Sequence, residues 1–366
     1  MRVAVVGGGA VGLAIAGSLA TRDAVVTLYE RDALGSGATG RAAGICYDAF
    51  AGRADAAIAQ RALDRYRALD LLEPCPYVWL AREDGDARAV GEQVGAMQDR
   101  GVDADTLAPA ALADRYPALD TDGVVAAAVA NAAGTVEPDA VVARLADRAK
   151  AAGATIQTEA PVSLSGATTV ETPNGSEPFD AAVVAAGSAT KPLVADVGIS
   201  LALECYRAQA LVTDAIEAAL PSLYDATRKF YWRPCGDGVL VGDGAHAVDP
   251  ENCDLSADLE FVRSAMDRFR AATTLSPAAA SSWAGRCTAT PDRDPLVGPV
   301  ASGLWVATGW QGHGLMRAPA IAEFVAGRLS DEMVPFDAPV RDRFDPTRFD
   351  GDEEFHPLGD PTADWE

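Results

Sequence analysis

The chain begins with an apolar run, a glycine-rich segment and a second apolar run. Residues 2–6 (RVAVV) have the continuous apolar character of a buried strand, and the glycines at 7–12 lead into an amphipathic helical pattern from Leu13 to Thr21. The second run, Val25 to Tyr29, stops at Glu30. This order predicts a strand–helix–strand unit whose two strands are parallel.

Similar segments recur later and predict that the parallel sheet resumes after an insertion. Residues 33–44 have the Gly, Ala, Ser and Thr content of a loop, and Pro-bearing breaks near 73–76 and near 109–117 delimit the insertion. The other predicted elements are a helix through Ile58, Leu63, Tyr66 and Leu72, a helix from Pro138 through Val141, Leu145 and Ala149, strands at 155–157, 181–185 and 304–307, and a helix at 318–329.

Residues 201–283 have a different pattern. Strand-like runs at 209–212, 229–232 and 239–241 are separated by Gly and Asp, and a helical pattern covers 259–272. This pattern predicts an antiparallel meander that packs over a ligand.

Three glycines between the first strand and the first helix have the spacing of a dinucleotide-binding loop. Gly7 allows a tight turn, Gly9 lets the backbone approach a pyrophosphate, and Gly12 permits close packing of helix on strand. Glu30 can accept hydrogen bonds from ribose hydroxyls and would repel the 2′-phosphate of NADP. The fingerprint does not choose between NAD and FAD. The candidate contacts are Gly7, Gly8, Gly9, Ala10, Val11, Gly12, Glu30 and Arg31.

Residues 37–45 (GATGRAAGI) lie where a longer cofactor would continue from its phosphates toward a ring. They resemble the G-A-S-G-R-x-A-G segment of the D-amino-acid oxidase-like FAD oxidoreductases, the family of glycine oxidase, sarcosine oxidase and dimethylglycine dehydrogenase. The resemblance extends from Val3 to about Phe349. By this resemblance the cofactor contacts are Thr39, Arg41, Ala43, Gly44 and Ile45.

Four further segments are similar to conserved parts of that family. They are residues 134–138 with 152–154, residues 180–187, residues 283–298 (WAGR…TPD…PLVG) and residues 304–314 (LWVATGWQGHG). The resemblance implies that the backbone of Val162 meets the adenine and that Ala186 and Gly187 let the chain pass the cofactor. It also implies that the last helix directs its N-terminus at flavin N1 and the C2 carbonyl, which would stabilise the reduced flavin. The implied contacts there are Gly309, Gly312, His313, Gly314, Leu315 and Met316.

The resemblance implies an α/β fold with two interleaved domains. We expect a Rossmann-like FAD-binding domain from residues 1–75, 134–200 and 284–349. We expect an α+β substrate domain with an antiparallel sheet from residues 76–133 and 201–283. Residues 350–366, rich in Asp, Glu and Pro, are expected to be an acidic tail.

The resemblance also implies an enzyme that oxidises the C–N bond of a small amine or amino acid. The substrate would be a D-amino acid, glycine or an N-methyl amino acid, hydride would pass to flavin N5, and the resulting imine would hydrolyse. The electrons would then go to oxygen, a quinone or an electron-transfer protein.

Three residues are candidates for the catalytic site. Arg286 matches an arginine that holds the substrate carboxylate in some members, and its guanidinium suits a two-bond clamp; a structural salt bridge is the alternative. Tyr231 would supply a hydroxyl or ring to the pocket, unless it is a core aromatic residue. We expect His313 to pack and hydrogen-bond near the ring, with proton transfer as the alternative. Arg41 is expected to brace the cofactor loop.

The chain departs from the family at several positions. Gly285 replaces the cysteine that bonds to flavin in sarcosine oxidases, so we expect non-covalent FAD, and Cys287 occupies an aromatic position. Met316 stands where sarcosine oxidases have a lysine, and Gly312 stands where glycine oxidases have an arginine. The substrate of neither enzyme can therefore be transferred to this chain.

Composition limits the possible partners. The 366 residues carry 53 acidic and 30 basic side chains, a formal charge of −23, so nucleic acid and anionic membranes are disfavoured. Among the basic residues only Lys150, Lys191 and Lys229 are lysine, which suggests a halophilic surface or an acidic protein from a GC-rich genome.

Targeting and metal-binding signals are missing from the sequence. No signal peptide and no membrane span are expected. Six cysteines without a C-x-x-C pair and three separated histidines predict a cytoplasmic protein without a metal site.

Two other functions remain open. The same fold also oxidises C–O bonds, as in dehydrogenases of 2-hydroxy acids, and a flavin-binding assembly protein without turnover would carry the same cofactor segments. An NAD dehydrogenase is disfavoured because the segment Gly312–Gly314 would then have no purpose.

Overall fold

The structure is a computed structural model and describes residues 1–247, 253–332, 338–350, 353 and 355. The predicted acidic tail therefore lies almost entirely outside the described residues. The strands are β1 (Arg2–Val6), β2 (Val25–Tyr29), β3 (Ile45–Cys46), β4 (Glu73–Pro74), β5 (Tyr77–Ala81), β6 (Ala104–Leu107), β7 (Ala126–Ala130), β8 (Gly134–Thr135), β9 (Thr155–Gln157), β10 (Ser163–Gly166), β11 (Thr169–Thr172), β12 (Gly175–Pro178), β13 (Ala181–Val184), β14 (Glu204–Thr213), β15 (Ser222–Asp225), β16 (Phe230–Cys235), β17 (Gly238–Ala247), β18 (Ala279–Ala289), β19 (Leu296–Ala301) and β20 (Leu304–Thr308).

The helices are α1 (Ala10–Ala20), α2 (Arg53–Ala68), α3 (Asp84–Gln98), α4 (Pro109–Arg115), α5 (Pro138–Ala151), α6 (Thr190–Ala195), α7 (Leu259–Ala272), α8 (Gly314–Leu329) and α9 (Ala338–Arg343). Short 3-10 turns occur at Thr39–Arg41, Gly187–Ala189 and Pro346–Arg348. None of the helices in the described part of the chain is long and apolar enough to cross a membrane.

A six-stranded sheet forms the first half of the fold, in the order β19-β20-β13-β1-β2-β9. All neighbours in it are parallel except β19 and β20. Helices α1, α2, α5 and α8 contribute to the apolar core that contains Val3 and Val5 of β1. The predicted Rossmann-like sheet, including its resumption after the insertion, is confirmed.

An eight-stranded sheet forms the second half, in the order β18-β14-β17-β16-β15-β5-β7-β6. It combines strands from residues 77–130 with strands from residues 204–289, so the two insertions share one sheet. The strands of residues 201–283 pair antiparallel with one another, as predicted. Strand β15 also pairs in parallel with β5, which belongs to the other insertion. Helix α7 packs on this sheet through Phe261, Met266 and Phe269.

Three helix predictions need correction. Helix α1 is not amphipathic: nine of its residues are buried, because α5 and α8 also pack against it. Helix α2 ends at Ala68, before Leu72. Helix α8 begins at Gly314, four residues before the predicted start at Ala318, because the glycines ahead of Gly314 lead directly into its first turn.

Candidate cofactor and substrate site

A cavity of about 750 Å³ lies where the two large sheets meet. It is lined by the carboxyl ends of β1 and β2, the loop at residues 36–45, the start of α8 and parts of β14, β16 and β18. Most of the predicted site residues line it: Gly7, Gly9, Val11, Glu30, Arg31, Thr39, Arg41, Ala43, Gly44, Ile45, Val162, Ala186, Gly187, Tyr231, Arg286, Gly312, His313, Gly314, Leu315 and Met316.

Four of the predicted contacts do not line the cavity but contact residues around it: Gly8, Ala10, Gly12 and Gly309. The Gly8 N–H donates to Glu30 Oε2 at 2.7 Å, and the Ala10 N–H donates to Thr39 Oγ1 at 3.1 Å. The Gly309 N–H donates to Thr288 Oγ1 at 3.2 Å. These contacts shape the cavity from behind.

The glycine loop joins β1 to α1 without room for side chains. Gly7 has φ +116°, and a Cβ there would overlap the Ala185 carbonyl. A Cβ at Gly12 would overlap the Gly7 carbonyl oxygen. Helix α1 therefore begins beside the cavity, which Gly9 and Val11 line, so N–H groups of its first turn can meet an incoming anion.

The Glu30 carboxylate is held at the end of β2. Its Oε2 accepts from the Gly8 N–H, and its Oε1 accepts from the Asp32 N–H at 3.0 Å. Both oxygens keep further lone pairs for ribose hydroxyls. The carboxylate is thereby oriented before a ligand arrives.

The loop at residues 36–45 is braced by Arg41. Its guanidinium donates to the carbonyls of Ser36 and of Gly37, the latter at 3.2 Å. The Arg41 carbonyl in turn accepts a hydrogen bond from Trp283 Nε1 at 3.1 Å. Arg41 thus has the contacts expected of a loop brace.

Arg233 is a site residue that the sequence did not single out. It lies on β16, is 2% exposed, and donates to the Ala43 carbonyl and to Glu137 Oε1, the latter at 2.7 Å. It ties the eight-stranded sheet to the cofactor loop. Its spacing from Tyr231 could have indicated this role. Side chains two positions apart on a strand lie on the same face, so Arg233 shares the face of Tyr231.

The first turn of α8 is held in place by contacts with Tyr66 and Asp55. The Tyr66 hydroxyl donates to the Leu315 carbonyl at 2.5 Å, and the buried Arg317 pairs with Asp55 at 3.0 Å. His313 is the N-cap residue, with Nε2 3.5 Å from the Tyr47 hydroxyl and its ring edge-on to Tyr47 and Phe50. These contacts suit the expected packing role of His313.

Strand β18 divides its side chains between two faces. Its residues pair directly with those of β14: Cys287 with Tyr206, and Arg286 with Arg207. Because opposed residues share a face, Arg286 lies on the face of Arg207, whose guanidinium binds Asp258 at 2.7 Å. Cys287 and Tyr206 lie on the other face, beside the start of α8.

Burial affects the acidity of the groups on that second face. It raises the pKa of the Tyr206 hydroxyl well above its usual value, with the neighbouring Cys287 as a further cause. It raises the pKa of the Cys287 thiol to about 11. Both groups are therefore neutral near pH 7.

The arrangement fits an elongated dinucleotide such as FAD. The cavity is lined by Glu30 and Val162 of the six-stranded half and also by Tyr206 and Gln311 near the start of α8. Side-chain atoms of Tyr206 and Gln311 are buried without hydrogen-bond partners in the described structure, as expected of a site that a ligand completes.

Comparison with known proteins identifies the relatives of this chain. A family model described as FAD dependent oxidoreductase matches residues 2–328. The chain is 28% identical to the bifunctional protein MnmC of tRNA 5-methylaminomethyl-2-thiouridine biosynthesis from Chromohalobacter salexigens, over 94% of this chain and 56% of that protein. It is 31% identical to the D-amino acid dehydrogenase of Sinorhizobium medicae, over 46% of this chain and 41% of that protein. The matched regions thus span about half the length of these curated relatives or less.

Solved structures show the same fold over nearly the whole chain. L-proline dehydrogenase from P. horikoshii has a TM-score of 0.87 and 25% identity, covering 95% of this chain and 97% of that one. Glycine oxidase from Geobacillus kaustophilus has a TM-score of 0.86 and 24% identity, covering 95% and 99%.

Proposed function

Since the chain belongs to the FAD-dependent oxidoreductase family, we propose that it oxidises the C–N bond of a small amine or amino acid. Family membership confirms the resemblance identified from the sequence and, with it, FAD as the cofactor. D-amino acid dehydrogenase and glycine oxidase among the relatives support this class of substrate.

The observation that carries the proposal is one cavity that joins both ends of an FAD site. The glycine loop and Glu30 line this cavity together with the first turn of α8 and His313. A helix N-terminus placed there stabilises negative charge on a bound group.

FAD, when bound, supplies the hydride acceptor for substrate oxidation. The protein would then contribute position and environment. We propose that Arg286, which lines the cavity but lies on the opposite face of β18 from Cys287, holds the substrate carboxylate. We also propose that Tyr231 lines the substrate side and that His313 packs at the ring. The neutral Tyr206 and Cys287 would complete a site of low polarity, which favours the uncharged amine.

We further propose that the cofactor is bound without a covalent bond. Gly285 lies against Arg41, with a hypothetical Cβ only 3.3 Å from Arg41 Cβ, and it offers no nucleophile. The predicted contact set and the division into an FAD-binding and a substrate domain belong to the same proposal. Strand β18 crosses the proposed domain boundary at residue 284.

The setting of the enzyme is also proposed. The six cysteines are free thiols, which suits a cytoplasmic protein. The charge of −23 suits high salt. If the protein is halophilic, lowering salt from molar to about 0.1 M, where the Debye length is about 10 Å, should reduce activity and FAD retention. Insensitivity to this change would contradict the halophilic part alone.

Anaerobic substrate screening tests the function. The purified protein should be yellow, and its visible flavin absorption should bleach on addition of a D-amino acid, glycine, L-proline or an N-methyl amino acid. Bleaching by 2-hydroxy acids alone would show C–O oxidation, and bound FAD that no substrate bleaches would favour an assembly protein. A protein that never takes up FAD would refute the proposal. Admitting air afterwards separates oxygen from a quinone or a protein as the electron acceptor.

A further inference from the structure

A row of residues crosses the eight-stranded sheet on the side of the cavity. Its members oppose one another in register on successive strands: Trp283 of β18, Ala210 of β14, Gly242 of β17, Tyr231 of β16, Tyr224 of β15 and Trp79 of β5. Opposed residues share a face of the sheet, so this row places its two smallest residues between large aromatic ones. The sheet surface therefore has a hollow at Ala210 and Gly242.

The Tyr231 ring occupies the Gly242 side of this hollow. A Cβ added at Gly242 would overlap Cζ and the hydroxyl oxygen of Tyr231 and would lie 2.8 Å from its Cε1. These are the far atoms of the tyrosine side chain, so the ring leans across to β17 and lies over the Gly242 backbone. It can lie there because residue 242 has no side chain.

Two large buried residues flank the Tyr231 ring on the same face. Tyr224, which opposes Tyr231 on β15, is 1% exposed. Arg233, two positions further along β16, is 2% exposed and donates a hydrogen bond to the Ala43 carbonyl. Tyr231 itself lines the cavity. A ring displaced from Gly242 therefore has its open side toward the cavity and would take up space there.

A separate feature indicates that a ligand occupies this cavity. Gln311 lines it, is 2% exposed, and has neither side-chain amide atom hydrogen-bonded in the described structure. Its backbone N–H donates to the Thr288 carbonyl of β18 at 2.9 Å, which keeps the residue beside the sheet. A buried polar group without a partner marks a place where a bound molecule supplies one. The space that the Tyr231 ring leaves open is thus part of a ligand cavity.

We propose that Gly242, by giving the Tyr231 ring its place on the sheet, sets the size of substrate side chain that the cavity accepts. The substrate class is an amino acid with an apolar side chain larger than methyl. Ala208 and Ala210 leave room beside the ring, and Tyr47 also lines the cavity and offers apolar contact. This inference rests on the proposed function. Gly242 is a positioning residue, because it acts on the substrate through Tyr231.

A series of amino acids tests the size limit: glycine, alanine, leucine, proline and phenylalanine, with both enantiomers where they exist. Anaerobic bleaching of the FAD-loaded protein at increasing concentrations gives a dissociation constant and a limiting rate for each. In the wild type, leucine, proline or phenylalanine should bind more tightly than glycine and alanine. Gly242→Ala should weaken binding of the larger amino acids about tenfold or more and change that of glycine and alanine at most about twofold.

A double-mutant cycle separates displacement of the ring from a general loss of structure. In Tyr231→Ala the ring is missing, so adding Gly242→Ala to that variant should change binding of the larger amino acids at most about twofold. Gly91→Ala is the matched control and should keep the wild-type constants, since Gly91 is exposed on α3 and nothing lies within 4 Å of the added Cβ. FAD content and melting temperature are measured for every variant.

Three results would overturn the inference. Bleaching of the wild type by glycine, sarcosine or alanine alone would contradict the size class and leave the proposed function intact. Unchanged binding of the larger amino acids in Gly242→Ala would show that the ring does not enter substrate space. An equal loss on adding Gly242→Ala to Tyr231→Ala would make Gly242 a structural residue. Bound FAD that no amine or amino acid bleaches would instead refute the proposed function, and this inference with it.

Discussion

The Arg233 guanidinium donates a hydrogen bond to the Ala43 carbonyl, and this bond joins the eight-stranded sheet to the loop that faces the cofactor cavity. Arg233 is 2% exposed, while the side chain of its carboxylate partner Glu137 is 60% exposed. The buried charge is therefore held mainly by its fixed hydrogen bonds. The position of the loop depends on a residue of the other half of the fold.

Replacing Arg233 should loosen this loop. Arg233→Met is expected to weaken FAD binding about tenfold or more and to lower the free energy of unfolding by about 2–3 kcal/mol, because the Ala43 carbonyl loses its partner. FAD titration of the apoprotein and denaturant unfolding measure the two effects. Arg270→Met, which removes an exposed arginine paired with Asp267, is the control and should change neither. Equal FAD affinity in wild type and Arg233→Met would show that the loop needs no such support.

Two glycine substitutions test whether Gly12 is needed for close packing or only as part of a glycine-rich loop. Gly12→Ala places a methyl group against the Gly7 carbonyl, so we expect FAD binding to be lost and stability to fall by about 2 kcal/mol or more. Gly37→Ala, where nothing lies within 4 Å of the added Cβ, should stay within about 0.5 kcal/mol of wild type and keep its FAD. Similar behaviour of the two variants would rule out the packing role assigned to Gly12.

The sequence predicts best what is local. The unit from β1 to β2 follows from two apolar runs, glycine spacing and Glu30, all within 30 residues, and helix α7 has the predicted bounds. The parallel pairing of β15 with β5 joins segments about 145 residues apart. No periodicity within either strand specifies that partner, so the sequence did not predict this pairing.

The sequence predicted those parts of the site where the backbone conformation requires a particular residue type. It did not predict the parts that depend on contacts between distant segments. The glycine patterns indicate the loop after β1 and the start of α8. Arg233 and Tyr206 carry no such signal, because their importance depends on partners, or missing partners, on other strands. Arg286 was selected by resemblance, and only the register with β14 shows which face of β18 it occupies.

The role of Arg286 can be tested by kinetics. If its guanidinium binds the substrate carboxylate, Arg286→Ala should raise KM for an amino-acid substrate about tenfold or more while FAD content holds, and Arg286→Lys should restore part of the loss. Arg270→Ala serves as the exposed control. Unchanged KM with reduced stability would instead assign Arg286 to a structural ion pair on the face that it shares with Arg207.

Asp48 should make stability fall as pH rises. The residue is 5% exposed, its Oδ1 has no hydrogen-bond partner in the described structure, and burial raises the pKa of its carboxyl. Above the ordinary aspartate pKa of about 3.9 the folded protein therefore binds more protons at this site than the unfolded chain does, so stability declines with pH until the folded-state pKa is passed.

Asp48→Asn removes that charge. Its free energy of unfolding should exceed that of wild type by on the order of 1 kcal/mol near neutral pH, and the difference should vanish below about pH 4. Urea unfolding across this range measures it, with the exposed Asp147→Asn as control. A variant that is less stable than wild type at neutral pH would show that the Asp48 carboxylate has a stabilising partner.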